Sequence, residues 1–314
     1  MTETRQPFGL DDLPSVGAAA VTMGVFDGVH LGHRAVLEAT RDAATERGIA
    51  SVALVFDPSP NELLHPGSHV PRLAPLRVNI ARIEALGIER ALPIRFDEAL
   101  RKLSAPAFLQ ALGPAIELRG LVMSLHSSFG RDRAGTVGRM QQLGRSRRFD
   151  VVVVDPIAVD GGLVSSTRVR DAIVRGDLPD AQRLGVMPYL QGSVVVGDRR
   201  GRALGFPTAN LSFAYTPAMP PLGIYAGRVT LAGRAISPGH PSLVSIGTRP
   251  TFHVEGEVLV EVHLLDFDGD LYGMQLGIEL VAGLREERRF ADVEALVEQM
   301  QRDAVIGRAA LESG

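Results

Sequence analysis

The sequence predicts an α/β domain with a Rossmann-like parallel sheet, followed by a small antiparallel β-barrel domain with a terminal helix. Three observations carry that expectation. In the first half, nearly continuous apolar runs alternate with helical patterns, as strands buried on both faces do when helices connect them. From Gln191 onward glycine, proline and alternating strand patterns take over, as in an antiparallel barrel or sandwich. The chain has 314 residues, enough for two sizeable cores. The change of character falls near residues 184–190, so domains of 1–186 and 187–314 are expected.

The elements follow in order. "AAAVTM" reads as the first strand and "HLGHRAVLEATRDAATERG" as its helix. "IASVALVFD" and "PLRVNIARIEALG" repeat the unit, and "IERALPIRF", the helical "APAFLQALGP", "LRGLVMS" and "FDVVVVD" extend it. "SSTRVRDAIVRGD" reads as a turn opening a last helix, with Ser or Thr placed to cap it. Beyond Gln191, "GSVVVGD", "GIYAGRVTL", "SLVSIG", "EVLVEVHLLDF" and "MQLGIELVAGL" read as barrel strands. In the fourth of these, Val258, Val260, Val262 and Leu264 share one face; Leu259, Glu261, His263 and Leu265 share the other. The closing helix, "FADVEALVEQMQRDA", sets Val293, Leu296, Val297 and Met300 on one stripe.

Composition narrows the chemistry. With no cysteine, disulfides, thiolate catalysis and cysteine zinc sites are excluded. The net charge is -3 and no long basic block occurs, so a nucleic-acid partner is not expected. No apolar run is long enough to span a membrane. The polar, acidic start "MTETRQPFGLDDLPS" does not read as a signal peptide, and a cytoplasmic location is the simplest expectation. Lys102 is the sole lysine, and the P-loop ending in Gly-Lys-Ser/Thr is absent. Any nucleotide phosphate must be held by backbone N–H groups, histidine, arginine and a metal ion.

"GVFDGVHLGH", residues 24–33, lies where a strand gives way to a helix, the place where open parallel sheets bind ligands. A helix N-terminus attracts anions. Gly28 and Gly32 let phosphate oxygens approach the backbone, and His30 and His33 can donate to a phosphoryl group as its charge rearranges. A structural histidine pair, or a metal site, is the competing reading; no third ligand accompanies the pair locally. "SSTRVR" at 165–170 supplies hydroxyls at a helix start with Arg168 and Arg170 behind them.

On these two segments the chain resembles the bacterial bifunctional riboflavin kinase/FMN adenylyltransferase (FAD synthetase) family, over roughly residues 18–306. Its hallmark Gly-x-Phe-Asp-Gly-x-His-x-Gly-His stands here as Gly24 through His33, including Phe26, Asp27 and Gly32, and Ser-Ser-Thr-x-x-Arg as Ser165 to Arg170. The resemblance implies a nucleotidyltransferase domain that moves AMP from ATP to FMN. It implies that His30 and His33 stabilise the α-phosphate in flight, and that Ser166, Thr167 and Arg170 hold the outgoing pyrophosphate.

The chain departs from the family pattern in two places. Ser59, in "FDPSPNELL", stands where the family has a histidine. In "SLHSSFGRDRAG", Ser124, His126 and Ser127 stand where the family has glycine, an acid or amide, and phenylalanine; Phe129, Gly130, Arg133 and Gly135 fit. Loss of an aromatic surface at 127 raises the alternative of a riboflavin kinase whose N-terminal domain is inactive or acts on another acceptor, such as a flavin analogue.

"GDRRGRALGFPTANLSF" is the strongest local signal. Gly197, Gly201 and Gly205 permit tight turns and close phosphate approach, and Pro207 fixes the backbone before Thr208 and Asn210. The last two offer hard oxygen donors suited to Mg2+. "PPLGIYAGRV", "SIGTRPTF", "VEVHLLDFDGDLYG" and "LREERRF" follow in order and look like the riboflavin kinase domain. The resemblance implies transfer of the ATP γ-phosphate to riboflavin, with Thr208 and Asn210 on the magnesium–nucleotide complex and Glu261 as general base. The residues agree with that role: Glu261 interrupts an apolar strand, and an alcohol nucleophile needs a proton acceptor. Solvation or an arginine partner is the alternative for this glutamate. Asp266, Asp268 and Asp270 lack the rest of a calcium loop and read as a turn bent at Gly269. Arg285 is placed by position to help close the site. The substrates implied are riboflavin, FMN and ATP, and a homo-oligomer is compatible with this reading.

Overall fold

Each apolar run of the first half is a strand whose two faces both meet helices. The computed structural model describes residues 6–64, 67, 70–196, 206–231, 239–248 and 258–313. These residues form two units by their internal contacts. The first comprises the residues up to Val70 together with Pro75–Ser166; the second comprises Pro71–Ala74 and the residues from Thr167 on.

In the first unit, β1 (Gly17–Gly24), β2 (Ala50–Asp57), β3 (Arg90–Arg95), β4 (Ile116–Ser124) and β7 (Asp150–Val154) form a five-stranded sheet in the order β3-β2-β1-β4-β7. Two-residue strands β5 (Ser128–Phe129) and β6 (Gly135–Thr136) pair as a hairpin, as do β8 (Ala158–Val159) and β9 (Gly162–Leu163). Every pairing in the large sheet is parallel, with Val21 beside Val52 and Leu121 beside Val151. Alternate residues feed separate cores. Val21, Leu54 and Ile94 pack with Phe108, Leu112 and Met140 on one face. Ala53, Val55 and Ala91 pack with Leu37, Ile80 and Ile83 on the other. The order reverses between β1 and β4, so their carboxyl ends flank a crevice, the topological switch point of such sheets.

The helix α1 (Leu31–Arg47) stops at Gly48 in a left-handed turn. The sequence reading passes over a helix at Val137–Arg147, because its only buried residues are Met140 and Gly144 and most of its surface is polar.

In the second unit, β10 (Tyr189–Val195), β11 (Ala209–Ser212), β12 (Gly223–Leu231), β13 (His240–Thr248), β14 (Val258–Leu264) and β15 (Gln275–Glu286) close into a barrel, in the order β10-β11-β14-β13-β12-β15. All its pairings are antiparallel. Val244, Ile246, Val260, Val262 and Leu264 fill the interior with Leu190, Val229 and Ile278. The face expected for Val260, Val262 and Leu264 is therefore the inner one, although Val258 at the strand's start is exposed. The Asp266–Asp270 segment is a turn, with Asp266 in a left-handed conformation.

The terminal helix runs Val293–Ser313, longer than its apolar stripe suggested. Its buried positions are Gln299, Asp303, Gly307 and Leu311, four residues apart, whereas Val293 is 53% exposed. The stripe is displaced because this seam is built on charge. Asp303 accepts from Arg285 Nε at 3.0 Å and Nη2 at 2.7 Å, and from Gln299 Nε2 at 2.7 Å. Arg285 thus ties β15 to the helix.

Candidate functional sites

The first site lies at the carboxyl ends of β1 and β4. Phe26, Gly28 and Val29 all take positive φ, so the chain turns sharply between β1 and α1. Gly28 suits that turn at φ 82°. His30 then serves as the N-cap of α1, its Nδ1 accepting the His33 backbone N–H at 3.3 Å. An imidazole that accepts at Nδ1 carries its proton on Nε2 when neutral and offers it as a donor. The His30 and His33 rings stack at 3.7 Å with 17° between their planes, and Phe26 meets His33 edge-on at 5.2 Å. Gly32 lies close beside them: a Cβ there would sit 3.3 Å from the His30 ring, a tight contact. Phe26, Asp27 and His30 are all buried.

A cavity of about 260 Å³ opens on this motif, lined by Gly24, Phe26, His30, Gly32 and His33 and by Ser124, Ser127 and Ser128 across the crevice. Ser166 Oγ donates to the Asp27 carbonyl at 3.0 Å, within the first unit. Thr167 and Arg170 belong to the second unit, where Arg170 Nε donates to the Pro71 carbonyl at 2.7 Å.

A second cavity of about 620 Å³ shares Ser128 and Phe129 with the first. Its wall is aromatic: Phe56 meets Phe96 at 5.6 Å and Phe108 at 6.3 Å, and Phe108 meets Phe129 at 5.9 Å, all edge-on. Arg101, Lys102, Arg131 and Arg133 line it as well, and Arg133 Nε donates to Ser128 Oγ at 2.9 Å. The combination suits a flat aromatic ligand with negative charge. The sequence reading missed Phe56 and Phe96, because a phenylalanine in an apolar run reads as core; Phe108 touches the same cavity but is 3% exposed and belongs to the core.

The departures have local explanations. Ser59 N donates to Glu62 Oε2 at 2.8 Å while Ser59 Oγ accepts from Glu62 N at 3.4 Å, a reciprocal cap on the helix Pro60–Leu64. Pro60, Asn61 and Leu64 of that helix line the second cavity. Ser127 folds back on Ser124, its backbone N and its Oγ both donating to the Ser124 carbonyl, at 2.9 and 2.8 Å. His126 is exposed.

The barrel site gathers on its outer face. Asn210 sits opposite Glu261 across β11 and β14, and Ser245 opposite Glu261 across β13. Directly opposed residues share a face. Thr208 Oγ1 donates to Glu261 Oε1 at 3.3 Å, and His263 Nδ1 lies 2.8 Å from the Pro207 carbonyl. Asn210 is buried and Glu261 half-buried. Thr208, Asn210 and Glu261 thus form one oxygen-rich cluster. Gly201 and Gly205 lie outside the described residues. Among the described residues no group of three or more His, Cys, Asp or Glu is arranged to hold a metal, and no helix is long and apolar enough to cross a membrane.

Comparisons with known proteins match this division. Residues 14–168 match the family described as FAD synthetase, and residues 184–311 the family described as riboflavin kinase. A bifunctional riboflavin kinase/FMN adenylyltransferase from Pseudomonas fluorescens is 37% identical over 308 residues, 96% of each chain. Its namesake from Escherichia coli K12 is 34% identical over 301 residues, 95% of this chain and 94% of its own. A solved structure described as a macrolide-efflux protein from Streptococcus pneumoniae is 27% identical, with a TM-score of 0.84 over 96% of this chain and 98% of that one.

Proposed function

This chain belongs to the bifunctional riboflavin kinase/FMN adenylyltransferase family, and from that premise we propose how its residues carry the two reactions. The protein phosphorylates riboflavin to FMN and adenylylates FMN to FAD, with ATP as the donor in both steps. The observation that carries the second step is the aromatic cavity beside the histidine pair. Phe56, Phe96 and Phe129, with four basic residues against the single acid Asp132, offer a planar, phosphorylated acceptor an aromatic wall and counter-charge. Both domain matches and the bifunctional relatives support the two activities together, so a kinase-only chain is not the favoured reading.

In adenylyl transfer, an oxygen of the FMN phosphate attacks the ATP α-phosphorus and the bond to the β-phosphate oxygen breaks, releasing pyrophosphate. His30 Nε2–H and His33 stabilise the charge that develops on the α-phosphate oxygens. Gly24, Phe26, Asp27 and Gly32 shape the nucleotide pocket. Ser166 holds the motif through Asp27, and the assignment of Thr167 and Arg170 to the pyrophosphate rests on the resemblance alone.

In the kinase step, the riboflavin 5′-hydroxyl attacks the ATP γ-phosphorus, ADP leaves, and Glu261 accepts the hydroxyl proton. Thr208 Oγ1 and Asn210 Oδ1 are hard, neutral donors beside that carboxylate, which fits Mg2+ held chiefly by nucleotide phosphates. When bound, that ion neutralises phosphate charge. Gly201, Gly205 and Pro207 complete the phosphate loop in this reading. Division after residue 186 separates the two activities, and the protein works in the cytoplasm.

Chromatography of the products formed by full-length protein from riboflavin, Mg2+ and ATP tests this. FMN and FAD are both expected. FMN alone would remove the adenylyltransferase assignment, and neither product would remove both.

A further inference from the structure

We propose that Asn79 is a positioning residue for adenylyl transfer, its buried amide holding the Phe26–Val29 turn in the shape that aims His30. The inference rests on the adenylyltransferase reading of the first site. Three of the four turn residues are left-handed: Phe26 at φ 51°, Gly28 at 82° and Val29 at 51°. Glycine adopts that region freely, but phenylalanine and β-branched valine resist it, so the turn must be held from outside.

The helix Leu76–Ala85 supplies the hold. Asn79 is 4% exposed. Its Oδ1 accepts the Gly28 N–H at 3.0 Å, and its Nδ2 donates to Asp27 Oδ1 at 3.5 Å. Arg82, three residues on, reaches the Gly28 carbonyl from Nη1 at 3.5 Å. Ile80 and Ile83 pack against Phe26 and Val29 in the same apolar cluster. One helix therefore fixes the turn's side chains by packing and its polar groups by hydrogen bonds.

The residue type follows from the task. The site requires one acceptor and one donor on a single short side chain, without charge next to a buried carboxylate; an amide provides that. Asn79 is not among the residues lining the 260 Å³ cavity, so its influence on the reaction runs through the backbone leading to His30. Leaving the buried Gly28 N–H without an acceptor penalises this backbone shape relative to looser ones. The looser shapes misplace the His30 ring and the amides at the start of α1.

The test uses the full-length chain. Asn79→Leu keeps a similar volume and removes both hydrogen bonds. FAD formation from FMN is expected to lose about 10- to 100-fold in kcat/KM for ATP, through a higher KM and a lower kcat together. FMN formation from riboflavin by the same molecules is expected to stay within about twofold. Amide hydrogen exchange in the peptide spanning Gly24–His30 is expected to quicken, with exchange in β1, β2 and β4 unchanged. Adenylylation within about twofold of wild type would overturn the proposal. So would faster exchange throughout the sheet, which would make Asn79 a general support of the fold. A wild-type chain that forms no FAD would defeat the adenylyltransferase reading separately. Exchange at Gly28 would then decide whether Asn79 holds the turn, and unchanged exchange there would overturn it.

Discussion

Glu261→Gln isolates proton transfer in the kinase step. Glutamine has nearly the same shape as glutamate, and its carbonyl oxygen can still accept from Thr208 Oγ1, now at 3.3 Å from Glu261. The cross-strand pairs with Asn210 and Ser245 are set by backbone register and persist. The half-buried position makes the neutral side chain no harder to accommodate, so stability should change by less than about 1 kcal/mol. Removing a general base costs about 100- to 10,000-fold, or roughly 3–5 kcal/mol of barrier. The loss should appear in kcat for FMN formation, because substrate binding does not use the abstracted proton. Steady-state assay with riboflavin and ATP reads it, and FAD formation from FMN by the same sample reports the integrity of the other site. A kcat within about threefold of wild type would remove Glu261 as the base.

Asp303→Ala leaves the Arg285 guanidinium, only 18% exposed, without its carboxylate. Breaking a buried pair costs about 3–5 kcal/mol, and the arginine's residual exposure argues for the lower end. The melting midpoint of the barrel unit should fall by roughly 6–12 °C; a fall under about 2 °C would refute the clamp. Ser59→Ala removes the Oγ acceptor of the Glu62 N–H, the side-chain half of the reciprocal cap on Pro60–Leu64, worth about 1 kcal/mol, and leaves the backbone N–H bond to Glu62 in place. Because that helix lines the aromatic cavity, KM for FMN should rise about fivefold with KM for ATP unchanged, and equal rises in both would contradict the assignment of the cavity. Burial raises the Tyr225 hydroxyl above the ordinary tyrosine range. The folded barrel then retains that proton longer than the unfolded chain, so its contribution is complete below about pH 10 and is lost as pH rises beyond. Denaturant titrations from pH 8 to 11 should show a steeper loss for wild type than for Tyr225→Phe.

Where side-chain period and burial coincide, sequence and structure agree. The parallel sheet was legible because runs such as Val52-Ala-Leu-Val55 are apolar on both faces, and the inner face of β14 because Val260 and Val262 alternate with Glu261 and His263. The His30–His33 motif was legible from its glycines and its place at a strand's end. The terminal helix was misjudged because a buried Asp303 breaks the rule that apolar residues mark the packed side; only its distant partner Arg285 makes that burial tolerable. Asn79 and the phenylalanine wall carry no local signal at all, since each acquires its role from residues 21 to 52 positions away.

The crevice between β1 and β4 is lined by the carboxyl ends of both strands and by the loops that leave them. Replacements in those loops therefore leave the scaffold's folding energy nearly untouched. Ser127 illustrates that freedom: its hydroxyl closes the turn on the Ser124 carbonyl at the end of β4. The turn at 124–127 can thus be refitted while the histidine motif stays anchored at the end of the neighbouring strand, β1.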